Sequence, residues 1–203
     1  MKKSLLSVIA LLTLALGCHW TIAQEKPAGS ARGGATELQP ARTPDVVYVP
    51  TPHEVVDKML ELAEIKSGDV VYDLGCGDAR IVVAAAKKFG VKAYGFDIDP
   101  KRVAESLENV RTNKLEHLVT IKQADIFTLD LSKADVVTLY LLPALNVRLI
   151  PQLEKMKPGS RIVSQSFDMQ GIKPVKVVED GTRKIYKWTV PLERESATSA
   201  SVQ

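Results

Sequence analysis

Cysteine, histidine and aromatic residues are scarce in this chain, and each shortage removes a class of explanation. Of its 2 cysteines, Cys18 lies near the amino terminus and Cys76 inside a glycine-rich stretch, so a domain freed of its leader has no internal disulfide. Histidine occurs only 3 times. His53-Glu54-Val55-Val56-Asp57 approaches the zinc-protease helix pattern but lacks the second histidine a metal site needs, so His53 reads as a surface residue. There are no paired cysteines, no serine elbow and no phosphate-binding lysine loop, so hydrolase, nucleotidase and zinc chemistry have no support. Aromatics make up 5% of the chain and the formal net charge is only +3, with basic residues scattered rather than gathered around aromatics. Nucleic acid is therefore not an expected partner. No repeat occurs, and the apolar run Leu5 to Gly17 is too short for a comfortable membrane span.

That run follows Met1-Lys2-Lys3, the basic start of a secretory signal, and Thr21-Ile22-Ala23 offers the small residues that a signal peptidase reads. Cleavage there is expected over lipidation, because Ala15-Leu16-Gly17-Cys18 is an imperfect lipoprotein box. The expected organisation is a signal peptide over 1–23, a flexible Pro-, Gly- and Ala-rich linker over 24–45, a domain over 46–192 and a frayed tail over 193–203. The mature form is expected to be exported, periplasmic or membrane-attached, with no transmembrane domain. The alternative is an uncleaved leader that anchors the domain on the cytoplasmic face.

Within the domain, apolar runs alternate with helical patterns. Thr51-Pro52-His53-Glu54 predicts a capped helix start ahead of Val55, Val56, Met59 and Leu60, with Thr51 as cap. Strands are predicted from Val70 to the glycines, around Lys92 to Phe96, Leu118 to Lys122, Val136 to Leu139 and Arg161 to Ser166. Helices are predicted over Ala79 to Phe89, after the cap Asp99 with Pro100 first inside, and over Ala144 to Met156. The implied fold is α/β: a Rossmann-like, mainly parallel sheet with helices on both faces. Val175 to Val178 and Lys184 to Val190 predict a closing antiparallel hairpin, with little room for a helix between Ser166 and Val175.

Asp73-Leu74-Gly75-Cys76-Gly77-Asp78-Ala79-Arg80 falls at the first strand-to-helix turn, and Phe96-Asp97-Ile98-Asp99 ends the next strand. Glycines there permit a tight reversal and close approach of a ligand, and Asp97 is placed to take ribose hydroxyls. Charge selects the nucleoside. Carboxylates at Asp73 and Asp78 would repel a pyrophosphate, and Arg80 stands where a dinucleotide turn wants a small residue. S-adenosylmethionine has no phosphate and carries a positive sulfonium and ammonium, so acids suit it. Asp78 is also the natural cap of the following helix.

The motif resembles the first motif of the class I S-adenosylmethionine-dependent methyltransferases, with Ala79 in place of the third glycine. Tyr48-Val49-Pro50, Asp73 to Val82, Tyr140-Leu141-Leu142-Pro143 and Lys157-Pro158-Gly159-Ser160-Arg161-Ile162-Val163 recur in order. This arrangement is similar to the small lysine methyltransferases related to the enzyme that methylates the c-ring protein of ATP synthase. The resemblance implies that Asp73, Gly75, Gly77 and Asp97 bind the cofactor, with Asp73 orienting the methionine amino group. It further implies that Ile98 packs on adenine, Asp125 accepts from its amino group, and Tyr48 and Pro50 fold over the cofactor. Tyr140, Leu141, Leu142 and Pro143 end the fourth strand, where ligands of open α/β sheets bind, and are expected to border the acceptor. Methyl transfer needs little acid or base help from the protein; for an amine acceptor, Tyr140 or Asp168 is the candidate for assisting loss of its proton. The expected activity is methyl transfer to a protein lysine or another amine. The rival reading is a protein that binds the cofactor without catalysing transfer.

Overall fold

The structure is a computed structural model and describes residues 43–196. The expected signal peptide, nearly all of the linker and the end of the tail lie outside the described residues.

Helix α1 (His53–Leu62) leads into strand β1 (Val70–Leu74), followed by α2 (Arg80–Phe89), β2 (Lys92–Asp97), α3 (Pro100–Thr112) and β3 (Val119–Gln123). After a 3₁₀ turn over Ile126–Thr128 come β4 (Val136–Leu139), α4 (Pro143–Leu153), β5 (Arg161–Gln165), β6 (Lys176–Asp180) and β7 (Arg183–Thr189). The strands form one 7-stranded sheet in the order β3-β2-β1-β4-β5-β7-β6. Pairings among β1 to β5 are parallel, while β7 runs antiparallel to both β5 and β6. The Rossmann-like sheet and its closing hairpin are therefore present. The chain order reverses between β2 and β4 around β1, which puts the carboxyl end of β1 at the crevice where such sheets bind ligands.

Alternate strand residues feed separate cores, as a pleat of period 2 requires. Val71, Ala93, Val136 and Val163 face the core shared with α1 and α2. Tyr72, Leu74, Phe96, Val137, Leu139, Ile162 and Trp188 face the core shared with α4. This second face has less helix to cover it, because Ser166 to Val175 holds no helix. Met169 and Ile172 fill the gap, and the Trp188 indole N–H donates to the Ile172 carbonyl at 3.0 Å.

Two local expectations need correction. Thr51 is not the cap of α1: Pro52 takes that position in extended backbone with no side-chain cap bond, and the Thr51 carbonyl instead accepts from Arg80. The described part of the tail expected to fray from residue 193 is held, since Lys173 N–H donates to the Glu193 carbonyl and Glu195 N–H to the Gly171 carbonyl. Asp99 caps α3 as expected, accepting the Lys101 N–H at 2.8 Å with Pro100 first inside the helix.

Candidate functional site

The turn after β1 is fixed from three directions. Gly75 and Cys76 N–H groups both donate to the Phe96 carbonyl, at 2.8 and 2.9 Å, so the turn hangs on the end of β2. The Asp97 carboxylate accepts the Gly77 N–H on one oxygen at 2.9 Å and the Asp99 N–H on the other at 3.0 Å. From α3, the Ser106 hydroxyl donates to the Gly77 carbonyl at 2.7 Å and the Asn109 amide to the Asp78 carbonyl at 2.8 Å. The turn runs through left-handed backbone at Gly75 (φ 81°), Gly77 (φ 58°) and Ala79 (φ 66°). Glycine is needed at Gly77 for a reason the sequence does not disclose: a Cβ there would lie 2.1 Å from Cε2 of Tyr48, whose ring covers the turn.

The acids divide by environment. Asp73 is 2% exposed, and its Oδ1 accepts the Thr138 hydroxyl at 2.7 Å. Burial pushes its carboxyl up to about 7, against the pull of the Thr138 hydrogen bond and with help from the nearby charges of Asp97 and Asp78. Burial also raises Asp97, countered by its hydrogen bonds from Asp99 and Gly77. Asp78 goes the other way. Although burial opposes it, the Arg80 guanidinium, gripping it at 2.9 Å through Nε and 2.6 Å through Nη2, holds its carboxyl below the usual range. Asp78 is thus an ion-pair partner and not the expected cap: Ala79 takes the cap position of α2 with no side-chain cap bond, and Asp78 only accepts the Arg80 N–H at 3.2 Å. The repulsive charge expected from Asp78 is neutralised in place, so the acidity of the site rests on Asp73 and Asp97.

A cavity of about 310 Å³ opens beside the turn. Asp73, Gly75, Asp97, Ile98, Tyr140 and Leu141 line it, as does Tyr48. Gly77, Asp125, Leu142, Pro143 and Asp168 are not among its lining residues. Gly77 is covered by Tyr48, and Asp125 starts the 3₁₀ turn by accepting the Phe127 N–H at 3.0 Å. Leu142 precedes α4 and is exposed, Pro143 begins that helix, and Asp168 is exposed in the segment after β5. The Tyr140 ring stacks on Phe167 with centroids 6.3 Å apart, and the buried Asn146 amide fixes that segment by donating to the Asp168 carbonyl at 2.9 Å.

Sequence reasoning missed Arg80 and Arg102 as cavity residues, and also Pro44 and Asp45, which it left in the linker. Nothing in their local pattern marks them, since each reaches the cavity through tertiary placement. Chemically, Asp97 keeps a lone pair on each oxygen for paired hydroxyls, Asp73 offers a buried acid to a cation, and Ile98, Ala124, Ile126 and Leu145 give an apolar slot for a flat ring. That donor set fits a nucleoside bearing a positive group.

The ANTKMT methyltransferase domain matches residues 73–176. A protein-lysine N-methyltransferase of Saccharolobus islandicus is 48% identical over 142 residues, which are 68% of this chain and 88% of that protein. The adenine nucleotide translocase lysine N-methyltransferase of Mus musculus is 29% identical over 77% of this chain and 69% of its own length. Among solved structures, an RNA methyltransferase from Salinibacter ruber in complex with S-adenosyl-L-homocysteine is 45% identical, with a TM-score of 0.69 over 70% of this chain and 94% of that one.

Proposed function

This chain belongs to the ANTKMT methyltransferase domain family and takes S-adenosylmethionine as its cofactor, and we propose that it methylates the side-chain amine of a protein lysine. One observation carries the choice of acceptor: the 48% identity with a protein-lysine N-methyltransferase extends over 88% of that protein.

The bound cofactor supplies a methyl group on a sulfonium, a leaving group that needs no acid. What the chain must do is hold, orient and exclude water. We assign Asp97 to the ribose hydroxyls, Asp73 to the cofactor's ammonium, and Ile98 to the adenine face. Gly75 gives backbone access, Gly77 makes room for Tyr48, and Tyr48 covers the turn. Asp125, at the start of the 3₁₀ turn next to the cavity residues Ala124 and Ile126, is assigned to the adenine amino group. Tyr140 and Leu141 line the cavity at the end of β4 and are assigned to the acceptor, with Leu142 and Pro143 at its approach. A lysine must lose its proton before it attacks. Tyr140 takes the role of accepting a hydrogen bond from that amine, whereas Asp168 does not line the cavity and is given no part.

The Salinibacter ruber relative names RNA as a rival acceptor. Against it, the Asn-Pro-Pro-aromatic tetrad of many nucleic-acid amine methyltransferases is replaced by Tyr140-Leu141-Leu142-Pro143. Arg80 and Arg102 at the cavity are also engaged by Asp78 and Glu105. The test is transfer of labelled methyl from S-adenosylmethionine to extract from the source cell by the purified full chain. Label recovered as methyl-lysine after protein hydrolysis supports the proposal. Label released by ribonuclease overturns it in favour of RNA, and tight cofactor binding with no labelled acceptor favours a binding protein.

The basic, apolar leader supports export of the domain, and no helix among the described residues is long and apolar enough to cross a membrane. A mass spectrum of the mature amino terminus with cell fractionation tests this: an intact leader on the cytoplasmic face would overturn it.

A further inference from the structure

Arg80, like its partner Asp78, is a charged residue of the glycine turn to which the proposed chemistry gives no task. Its fork on Asp78 leaves one guanidinium nitrogen, Nη1, which donates to the Thr51 carbonyl at 2.7 Å. That bond crosses 29 residues of sequence and joins two walls of the cavity: the start of α2, and the segment 44–51 that leads into α1. Thr51 is 4% exposed, and the Arg80 and Asp78 side chains are 20% and 27% exposed, so the arrangement is largely shielded from water. Between the walls, the Tyr48 ring rests on Gly77, and the Arg102 guanidinium lies 4.7 Å from the ring centroid. The Tyr48 hydroxyl is buried beside Asp78 and Arg80, so the ring that covers the turn ends at the fork itself. A simple surface ion pair would do little; a planar fork whose remaining donor is committed to a backbone carbonyl fixes geometry.

We propose that Arg80 is a positioning residue that latches the segment 44–51 across the glycine turn and so sets how fast the nucleoside cofactor is released. The inference rests on the cofactor reading above, because the cavity walled by that segment is the one assigned to the nucleoside. Departure through this wall requires Tyr48 to lift from Gly77, and that motion breaks the bond from Arg80 to Thr51. Asp78 is part of the device, since it holds the guanidinium in the plane that reaches the carbonyl. Lysine cannot replace Arg80, because a single ammonium does not span the carboxylate and the carbonyl with fixed geometry.

The test uses the full chain, with S-adenosylhomocysteine as probe and a rapid chase to read its release, alongside hydrogen exchange at the Gly77 amide, which is bonded to Asp97 beneath the Tyr48 ring. In Arg80→Lys, release is expected roughly tenfold to a hundredfold faster, the range for losing a charge-assisted hydrogen bond, and, because the latch is closed without ligand too, association faster by a similar factor with Kd little changed. Exchange at the Gly77 amide should accelerate even without ligand. Asp78→Asn should give the same direction. If Arg80→Lys fails to fold, Tyr48→Ala opens the latch from its other side and must also speed release. Normal binding with unaltered release in a folded Arg80→Lys overturns the latch alone. Failure of the unmodified protein to bind S-adenosylhomocysteine overturns the cofactor reading and the release claim together, and is read separately from the ligand-free exchange.

Discussion

Cofactor affinity should fall steeply on acidification, and Asp73 is the reason. Its carboxyl is moved from 3.8 to about 7 by burial, so in the free protein it is largely protonated below neutrality. Only the ionised form attracts the cofactor's ammonium. At pH 5 about one molecule in a hundred has Asp73 ionised, so Kd for S-adenosylhomocysteine should be roughly 100-fold weaker at pH 5 than at pH 8. Binding near pH 6 should also release a proton, measurable by titration calorimetry in buffers of different ionisation enthalpy. Stability runs in the opposite sense. Because the folded-state value is raised, the folded protein binds the extra proton between pH 3.8 and about 7, and the resulting stabilisation, complete below that window, is lost as pH rises through it. The free-energy difference across the window is on the order of 4 kcal/mol. Asp73→Asn should therefore stabilise the ligand-free protein at pH 8 while weakening and flattening the pH profile of binding. Asp97 is raised as well and adds to the slope, so the comparison is made with Asp97 intact. A wild-type Kd that stays constant from pH 5 to pH 8, or an Asp73→Asn protein that keeps the slope, would refute the reasoning.

Asp97→Ala removes acceptors for the ribose hydroxyls and for the Gly77 N–H, and should weaken S-adenosylhomocysteine binding at least tenfold, from about 1.5 to 3 kcal/mol per charge-assisted bond; unchanged affinity by calorimetry would sink the assignment. Gly77 and Gly90 have similar positive φ, but only Gly77 faces an obstacle, Tyr48, while a Cβ at Gly90 meets nothing within 4 Å. Gly90→Ala should cost about 1 kcal/mol in chemical denaturation and Gly77→Ala roughly 2 to 4, with Tyr48→Ala rescuing part of the latter. Asn146→Ala, which loses the donors that hold the carbonyls of Phe167 and Asp168, should lower kcat while Kd for S-adenosylhomocysteine is unchanged.

The parts of the fold written in short-range chemistry are legible. Asp99-Pro100 encodes a helix start within two residues, Val136 to Leu139 is a buried strand bounded by turns, and the glycine turn joins β1 to α2. What escapes depends on partners far away in sequence. Thr51-Pro52-His53-Glu54 has the letters of a capping box, yet Pro52 adopts extended backbone as the cap and the Thr51 carbonyl is taken by Arg80. The charge of Asp78 is misread from sequence because the left-handed Ala79 places Arg80 to fold back onto it, a conformation no residue type announces. Gly77 is recognisable as indispensable but for the wrong neighbour, since Tyr48 fills the space a ligand is expected to approach.

The absence of a helix between β5 and β6 has a consequence for how such a protein can change. The support behind Tyr140 is Phe167, carried on irregular backbone fixed at discrete points by Asn146, Ser164 and Trp188 rather than by a helical ladder. Insertions or deletions there leave the register of β1 with β2 and β4 untouched, because those pairings close without it. The two sides of the cavity are thus under separate inheritance: one is locked by the sheet, while the placing of Tyr140 on the other can be altered through the short stretch between β5 and β6, which stands behind it without lining the cavity.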